Sequence, residues 1–503
     1  MERISKNILA NLLANSWSVA LLLLLTPMYI ALLGIEGYGL IGLYMSMAVI
    51  LGILDTGISA TVVREIAWYS VRPEGRSKIP ILLHSVEIIY WSTILIIGGL
   101  LIWGAWFFGN DWFRAKELSD TELNHVLMLM VGALVLQVPC GLYVGGLMGL
   151  QRQVECSWLL VFWGTVRGFG SIAVLWLWEP SVEIFFLWQI MVGVAQVAMM
   201  RWALWRRIND AEGLASFSWR ELHSLKGFAG GMLMITISGV LLSQSDKIIL
   251  SRLVSLELFG FYTLAWTVAS GLTRVATPLI QAFSPHFTEL VSVGKHEEMQ
   301  QQLSLASQVM SVLILPPAVL IAVFGEPILT AWTRNPLVAA GAAPLLSLLV
   351  VGTAFASCSY PALSALYSRK QIGVVVAINF LALVIFMPLL IWAIVKSGAI
   401  GAASVWVLYG IYQYMGYQFL ERRGRTPTSV FGPLVQNFVA PLLTSVLVAV
   451  LVFLWLGDSP SDIKLLLSLC VGLILSWLAA LFVCGDLFGI VAEKVKCRPL
   501  FSR

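Results

Sequence analysis

Long apolar runs, separated by short polar connections, make up most of the chain. Fourteen of them are long enough for a helix of roughly 20 residues, the length that crosses about 30 Å of hydrocarbon. They lie near residues 8–33, 38–63, 81–107, 123–149, 155–178, 183–207, 226–251, 257–283, 303–324, 340–367, 373–395, 399–420, 433–456 and 463–485. The pattern predicts an all-α, polytopic membrane protein with about 14 transmembrane helices. The first run exceeds a signal-peptide core and another run follows it at once, which favours a retained helix.

Two short acidic turns, each between long apolar runs, repeat along the chain. They are Leu33–Gly39 and Leu256–Gly260, and their glutamates, Glu36 and Glu257, are 221 residues apart. Six runs separate the two turns, so both halves of the chain enter the membrane from the same side. This is the parallel-repeat plan of transporters, in which two similar lobes flank a path near the bilayer midplane.

Basic residues concentrate on one side of this arrangement. With both termini in the cytoplasm, 22 of the 31 Lys and Arg residues fall inside, five outside and four within the runs. This asymmetry is a strong positive-inside signal and supports an even number of spans. The predicted domains are two pseudo-symmetric six-helix lobes, 1–212 and 213–425, and a segment, 426–503, with two additional transmembrane helices and a cytoplasmic tail.

Small residues form a stripe in the fourth run. Pro139 is followed by Gly141, Gly145 and Gly149 at four-residue spacing. Residues at this spacing share one helix face. The stripe predicts that the backbone of another helix approaches closely there.

Composition agrees with a membrane protein and argues against other classes. Hydrophobic residues make up 59% and charged residues 12% of the chain, whereas a soluble domain has about 25% charged residues. The six cysteines show no paired metal spacing, and no phosphate-binding loop or nucleophile elbow occurs, so we expect neither a metal site nor catalysis. The net charge of +4 fits basic loops that face an anionic leaflet and requires no nucleic-acid partner.

Charged residues inside the apolar runs are the main functional candidates, because each costs about 2.5–3.5 kcal/mol even on the low, insertion-based scale. Arg167 in the fifth run and Arg274 in the eighth have no acidic residue within one helical turn. We predict that both bind substrate, and Arg64 and Lys247 are further substrate-binding candidates. Glu87 lies near a cytoplasmic helix end and is expected to be solvated.

Three further charged residues are predicted to form gates or ion pairs. Asp246 can pair with Lys247 or Arg252, and Asp55 lies at a depth similar to that of Arg274, with which it can pair across the lobes. Positive charge exceeds negative charge in the whole set, so we expect an anionic cargo such as a phosphate or diphosphate. Moving an anion out of a negative-inside cell is also downhill, by about 2.3 kcal/mol per unit charge per 100 mV.

Several short helix motifs spread over the first half of the chain and into the second lobe. They are Asn11–Ser16, Gly34–Gly39, Leu54–Ser59, Val63–Ile66, Gly149–Gln153 and Gln244–Ser251. These motifs resemble those of the Wzx-type polysaccharide flippases, which belong to the superfamily that includes the multidrug and toxin extruders. The resemblance covers most of the chain and includes no catalytic fingerprint.

The resemblance implies a two-lobed, alternating-access transporter in the bacterial inner membrane. Its cargo would be an undecaprenyl-diphosphate-linked oligosaccharide, which it moves from the cytoplasmic to the outer leaflet for surface polysaccharides such as lipopolysaccharide. The resemblance also implies that transport is often coupled to an ion, H⁺ or Na⁺, and that the protein needs no cofactor. The implied partners are membrane lipids, glycosyltransferases and a polysaccharide polymerase. By this analogy the cationic residues would hold the diphosphate while the lipid tail stays in the bilayer.

Three other functions compete with this interpretation. A multidrug or toxin cation antiporter shares the fold, and a dominant acidic cavity residue would favour it. A peptidoglycan-precursor lipid flippase is closer in function to the polysaccharide flippases, and the two extra terminal helices fit either kind of flippase. A membrane-embedded glycan polymerase or glycosyltransferase usually needs a sizeable outer loop or exposed carboxylates, and the chain offers neither.

Overall fold

The structure of the chain, a computed structural model, describes residues 2–71, 76–112, 119–208, 216–219, 237, 239–422, 434–456, 462–485 and 487. This part of the chain is helical and contains no β-strand, as the sequence predicts. Spatial proximity divides the chain into two compact units, Met1–Gly260 and Phe261–Arg503. The predicted lobe boundaries, 212/213 and 425/426, lie outside the described residues and stay predictions.

Seven helices lie in the first unit, within the part of the chain that the structure describes. They are α1 (Glu2–Ser70), α2 (Lys78–Trp112), α3 (Asp120–Gln137), α4 (Pro139–Gly149), α5 (Gln153–Leu177), α6 (Val182–Ile208) and α7 (239–253). A buried core joins α1, α2, α4 and α6, with Ile66, Leu82, Leu142 and Met200 fully enclosed. This core fixes the relative positions of the four helices that carry most of the polar residues described below.

The next helix, α8 (Leu256–Ser292), starts in the first unit and continues into the second. The other helices of the second unit are α9 (His296–Val323), α10 (Gly325–Thr333), α11 (Pro336–Cys358), α12 (Tyr360–Ser368), α13 (Ile372–Glu421), α14 (Ala440–Leu456) and α15 (Asp462–Val483). The two terminal helices pack on α9, where Leu320 contacts the apolar cluster of Val452 and Leu465. A short π-helical turn, Val435–Val439, leads into α14, and its Asn437 accepts at Oδ1 a buried hydrogen bond of 3.1 Å from Gln308 Nε2 of α9.

Two helices are much longer than a bilayer is thick, and each is bent at a glycine. The 69-residue α1 departs from helical geometry at Gly34, with φ of 70°, and the 50-residue α13 does so at Gly398, with φ of 58°. Only glycine adopts these left-handed conformations without steric cost. Each bend falls between two of the predicted spans, so one long helix holds two crossings.

Ten helical segments in the described residues are long and apolar enough to span a membrane, and two of them are pairs of consecutive helices, α3 with α4 and α11 with α12. They contain twelve of the fourteen predicted runs, because α1 and α13 hold two each. The run 257–283 forms most of α8, which is helical but is not among the ten. Much of the run 226–251 lies outside the described residues.

The two repeated acidic segments contact each other within the first unit. Leu33–Gly39 is part of α1, bent at Gly34, rather than a separate turn, and Leu256–Gly260 is the first turn of α8. A Cβ on Gly39 would lie 3.0 Å from the Leu256 carbonyl oxygen, and one on Gly260 only 2.2 Å from the Ile35 carbonyl oxygen. The repeat therefore forms a backbone-to-backbone packing contact.

The predicted glycine stripe of the fourth run is confirmed. A Cβ on Gly145 would lie 3.1 Å from the Ser59 carbonyl oxygen, and one on Gly149 would lie 3.0 Å from that of Val63. At Gly141 the added atom would lie 2.0 Å from Asp55 Oδ2. The stripe on α4 thus lets the second half of α1, with its carboxylate, approach closely.

Candidate functional site

Arg167 lies near the middle of α5, 14 residues after the helix begins, or about 21 Å along its axis. Its guanidinium donates three hydrogen bonds. Nη2 contacts Gln196 Oε1 at 2.7 Å, and Nη1 contacts Gln189 Oε1 and the Tyr44 hydroxyl, each at 3.2 Å. We call these three acceptors with Arg167 the arginine cradle.

The cradle is built from three helices of the first unit. Gln189 and Gln196 are seven residues apart on α6, a spacing of about two turns that places both side chains on one face. Tyr44 comes from α1 and donates its own hydroxyl hydrogen to Gln137 Oε1 at 2.6 Å. All three acceptors are buried, whereas Arg167 is only half-buried. The guanidinium is therefore oriented by its neighbours and still accessible.

Every acceptor in the cradle is electrically neutral. Among the described residues no carboxylate forms an ion pair with Arg167. The two glutamine amide nitrogens likewise donate to no described group. The arrangement keeps a positive charge and free N–H donors together inside a membrane helix bundle, where a charge-assisted bond to an anion is strong.

Asp55 is a carboxylate without a cationic partner among the described residues of its unit. Its Oδ1 accepts a hydrogen bond from the Tyr90 hydroxyl at 2.5 Å and another from Ser59. Tyr90 is buried on α2, and Gly141 of α4 leaves room for the second carboxylate oxygen. The predicted pairing of Asp55 with Arg274 joins the two units and stays a prediction.

An ion pair between a buried glutamate and an exposed arginine of the same unit was not predicted. Glu87 is only 5% exposed, so the expectation that it is solvated is wrong. It accepts from Arg201 Nε at 3.0 Å and from Trp205 Nε1 at 3.0 Å. Glu87 and Arg201 lie in the third and sixth apolar runs near the same membrane face, and this matching depth is the sequence signal for the pair. Because the two charges compensate each other, they leave the net charge of the unit unchanged.

Lys247 and Asp246 are both buried on α7 and are paired with each other. Lys247 Nζ lies 3.3 Å from Asp246 Oδ1 and 3.0 Å from the Ser243 carbonyl oxygen. This geometry agrees with the local ion pair that the sequence allows. The substrate-binding role of Lys247 and the gating role of Asp246 stay predictions.

Arg64 and Arg252 lie at the ends of their helices with exposed guanidinium groups. Arg64 Nε donates to Glu65 Oε1 at 3.1 Å, a contact with its neighbour in the chain. Arg252 lies over the ring of Trp112, with 5.0 Å between its Cζ and the ring centroid. The structure brings neither residue into the arginine cradle.

Arg274 is exposed on α8 of the second unit. Within the described residues of that unit it has no hydrogen bond or ion pair. Both of the arginines ranked first from the sequence are therefore free of a carboxylate partner in their own units. The described residues also contain no group of three or more His, Cys, Asp or Glu side chains that could hold a metal ion.

These features define a class: a polytopic helical membrane protein with unneutralised charge inside its bundle, as transporters of charged solutes have. The family described as polysaccharide biosynthesis protein matches residues 4–291, more than half of the chain. The chain belongs to this family, as its helix motifs predict.

Other proteins share its sequence or its fold. A Shigella flexneri protein named for O-antigen transport is 20% identical over 397 residues, which cover 78% of this chain and 91% of the relative. The solved structure of the lipid II flippase MurJ in an inward closed conformation aligns with a TM-score of 0.70 and 12% identity, over 96% of this chain and 99% of that one.

A multidrug-resistance transporter of the MATE family, in the MOP superfamily, also aligns. Its inward-facing structure gives a TM-score of 0.61 at 13% identity, over 82% of this chain and 96% of that one. At these identities the two structures show a shared fold. The predicted fold class, an all-α polytopic membrane protein, is confirmed.

Proposed function

We propose that the protein is a flippase that moves undecaprenyl-diphosphate-linked oligosaccharide from the cytoplasmic to the outer leaflet by alternating access. Surface polysaccharide assembly would use the delivered lipid. The observation that carries this proposal is the arginine cradle, a positive charge inside the membrane helices whose described hydrogen-bond partners are all neutral. The family and the O-antigen relative support the glycan part of the cargo.

The cradle suits a phosphate better than a cation. A guanidinium presents its N–H donors in a planar fork that matches two phosphate oxygens. Gln189 and Gln196 orient this fork without neutralising it, since an amide oxygen accepts a hydrogen bond but carries no net charge. When a phosphate enters the site, the Arg167 guanidinium would exchange weak neutral acceptors for charged ones. A cation would meet repulsion, which disfavours the multidrug antiporter alternative.

Arg274 supplies the corresponding charge in the second lobe. It is exposed on α8 and unpaired within the described residues of its unit. In the proposed cycle each arginine contacts the diphosphate in at least one conformation, and the polyprenyl chain remains in the bilayer.

Asp55 is the proposed coupling residue. An ionised carboxylate at this depth is costly unless it is compensated, and its described partners, Tyr90 and Ser59, only donate hydrogen bonds. Binding a proton or Na⁺ would remove that cost. Ion uptake at Asp55 would therefore bias the conformational equilibrium that moves the cargo.

The proposed location is the inner membrane of a bacterium, with both termini in the cytoplasm. The glycosyltransferases that build the lipid-linked glycan would act before this step, and a polysaccharide polymerase would act after it. The protein itself would perform no covalent chemistry.

Complementation tests this proposal in cells. In a strain that lacks the gene, Arg167→Ala and Arg274→Ala should abolish surface glycan while the protein still inserts in the membrane. Phe169→Ala changes a lipid-exposed side chain two residues along the same helix and should preserve the glycan. Normal glycan in the Arg167→Ala, Arg274→Ala double variant would refute the proposal, and rescue of a strain depleted of its lipid II flippase would favour the peptidoglycan precursor as cargo.

A further inference from the structure

A separate apolar cavity of about 250 Å³ lies in the first unit, between α1, α2 and α3. Its walls include Leu43 and Met47 of α1, Leu100 and Gly104 of α2, and Met130 of α3. None of the described side chains that line it is charged. An apolar cavity of about 150 Å³ already accepts a molecule the size of benzene, so this one has room for a segment of an aliphatic chain.

The cavity opens toward the lipid. Leu100, which lines it, is 61% exposed, and Trp103, on the same helix, is 58% exposed. Large exposed apolar side chains on a membrane-spanning helix face hydrocarbon rather than water. A chain that enters the cavity would therefore come from the bilayer itself.

An exposed arginine lies beside the cavity. Trp112, the last residue of α2, lines the cavity and donates a 3.2 Å hydrogen bond from Nε1 to Ser251 Oγ of α7. The next residue, Arg252, lies over the face of that indole ring. A stacked guanidinium keeps its N–H edges available, and Arg252 forms no ion pair among the described residues.

The level of this cation matches that of a lipid headgroup. Tryptophan is enriched where hydrocarbon meets the polar headgroups, and the distribution of basic residues assigns this end of α2 to the outer face. An acyl chain in the cavity and a phosphate on Arg252 would thus belong to one lipid of the outer leaflet.

We propose that this cavity and Arg252 form a binding site for an anionic glycerophospholipid, with an acyl chain among α1, α2 and α3 and the phosphodiester on Arg252. A phospholipid is favoured over the scarcer carrier lipid because occupancy follows concentration as well as affinity. An anionic headgroup is favoured over a zwitterionic one because the latter adds an ammonium that Arg252 repels. The bound lipid would link α2 to α7 at the Trp112–Ser251 contact. This site is independent of the cargo and of the arginine cradle.

Native mass spectrometry of the purified full-length protein tests the site. Palmitoyl-oleoyl phosphatidylglycerol and the corresponding phosphatidylethanolamine would be titrated separately. Two variants attack the two halves of the site: Arg252→Ala removes the cation, and Gly104→Leu fills the cavity. A Cβ on Gly104 meets nothing within 4 Å, so the added side chain extends into open space.

Matched controls are present in the chain. Gly99 is an exposed glycine on the same helix that also has open space around an added Cβ, and it does not line the cavity. Arg334 is an exposed arginine that also belongs to the predicted outer side. Gly99→Leu and Arg334→Ala should therefore bind lipid as the unmodified protein does.

We expect the unmodified protein to retain one phosphatidylglycerol in preference to phosphatidylethanolamine. Arg252→Ala should bind phosphatidylglycerol about tenfold more weakly, which is the loss expected for one charged hydrogen bond. Gly104→Leu should lose that lipid as well. Equal retention by Arg252→Ala and Arg334→Ala, or by Gly104→Leu and Gly99→Leu, would overturn the proposal. So would displacement of the phosphatidylglycerol by an equimolar amount of undecaprenyl phosphate, which would make the carrier lipid the occupant.

Discussion

Replacing Gln196 with glutamate would neutralise the charge on which the proposed transport depends. The substitution is nearly isosteric, and it places a carboxylate where an amide oxygen now lies 2.7 Å from Arg167 Nη2. Two unit charges about 4 Å apart attract by roughly 4 kcal/mol at an effective dielectric constant near 20. The new ion pair would therefore hold the guanidinium against its own helix bundle.

A phosphate would then have to displace a carboxylate rather than a neutral amide. If the cargo loses the equivalent of one charged hydrogen bond, about 1.5–3 kcal/mol, its affinity should fall roughly 10- to 150-fold. The assay is translocation of a fluorescent lipid-linked oligosaccharide in proteoliposomes, with thermal unfolding of each variant measured in parallel. We expect Gln196→Glu to lose most transport without losing thermal stability.

The neutral variant Gln196→Met separates charge from hydrogen bonding. It removes the same acceptor but leaves Arg167 positively charged, so it should retain much more transport than Gln196→Glu. Transport by Gln196→Glu at the rate of the unmodified protein would refute the reasoning, because a neutralised Arg167 could not then be the anion ligand. A Gln196→Glu protein that fails to fold would show as a lowered unfolding temperature.

Three further predictions concern the surroundings of the site. Asp55→Asn should make cargo movement insensitive to an imposed H⁺ or Na⁺ gradient in proteoliposomes, and a full response to both gradients would remove Asp55 as the coupling residue. Gly141→Ala places a methyl group 2.0 Å from Asp55 Oδ2 and should destabilise the protein by about 1–3 kcal/mol, as overpacking does; Gly99→Ala, with open space around its Cβ, should melt at the normal temperature. Arg201→Ala leaves Glu87 buried without its cation, so thermal unfolding should show a loss of stability of about 1–3 kcal/mol. Arg206 is an exposed residue on the same helix, and Arg206→Ala should lower the stability much less.

Much of the fold follows from the sequence because the membrane restricts the available structures. Backbone groups in hydrocarbon must be paired internally, so apolar runs of this length become helices. The stripe of Gly141, Gly145 and Gly149 correctly indicates close packing, since its spacing places all three residues on one face. The breaks at Gly34 and Gly398 fall between predicted runs, but the sequence does not show that each is a bend within one continuous helix rather than a separate turn.

The candidate site could be predicted only in part. Arg167 stands out because a lone charge in an apolar run is costly. Its acceptors Gln189 and Gln196 do not stand out in the sequence, because nothing there distinguishes them from other polar residues. Only the packing of α5 on α6 places them next to the guanidinium. The ion pair of Glu87 with Arg201 depends on the packing of α2 against α6, so local sequence around Glu87 suggests solvent exposure instead.

Arg252 shows the same limit in another way. Because Asp246 is close to Arg252 in the sequence, the sequence suggests an ion pair or a gate between them. In the structure Arg252 lies over Trp112 instead. Trp112 is hydrogen-bonded to Ser251, which lies 139 residues later in the chain. Only the contact between α2 and α7 brings the indole ring under the guanidinium. Contacts between residues so distant in the chain leave no periodic trace in a single sequence.

Arg167 has no carboxylate partner among the described residues and is proposed to bind the phosphate groups of the cargo. The most direct test is the equilibrium affinity of purified protein for undecaprenyl diphosphate, compared between the unmodified chain and Arg167→Gln, a neutral variant that still offers hydrogen-bond donors. Arg167→Gln should bind at least tenfold more weakly, and its binding should depend less on salt concentration, because one charged contact is lost. Equal affinities with equal salt dependence would contradict it.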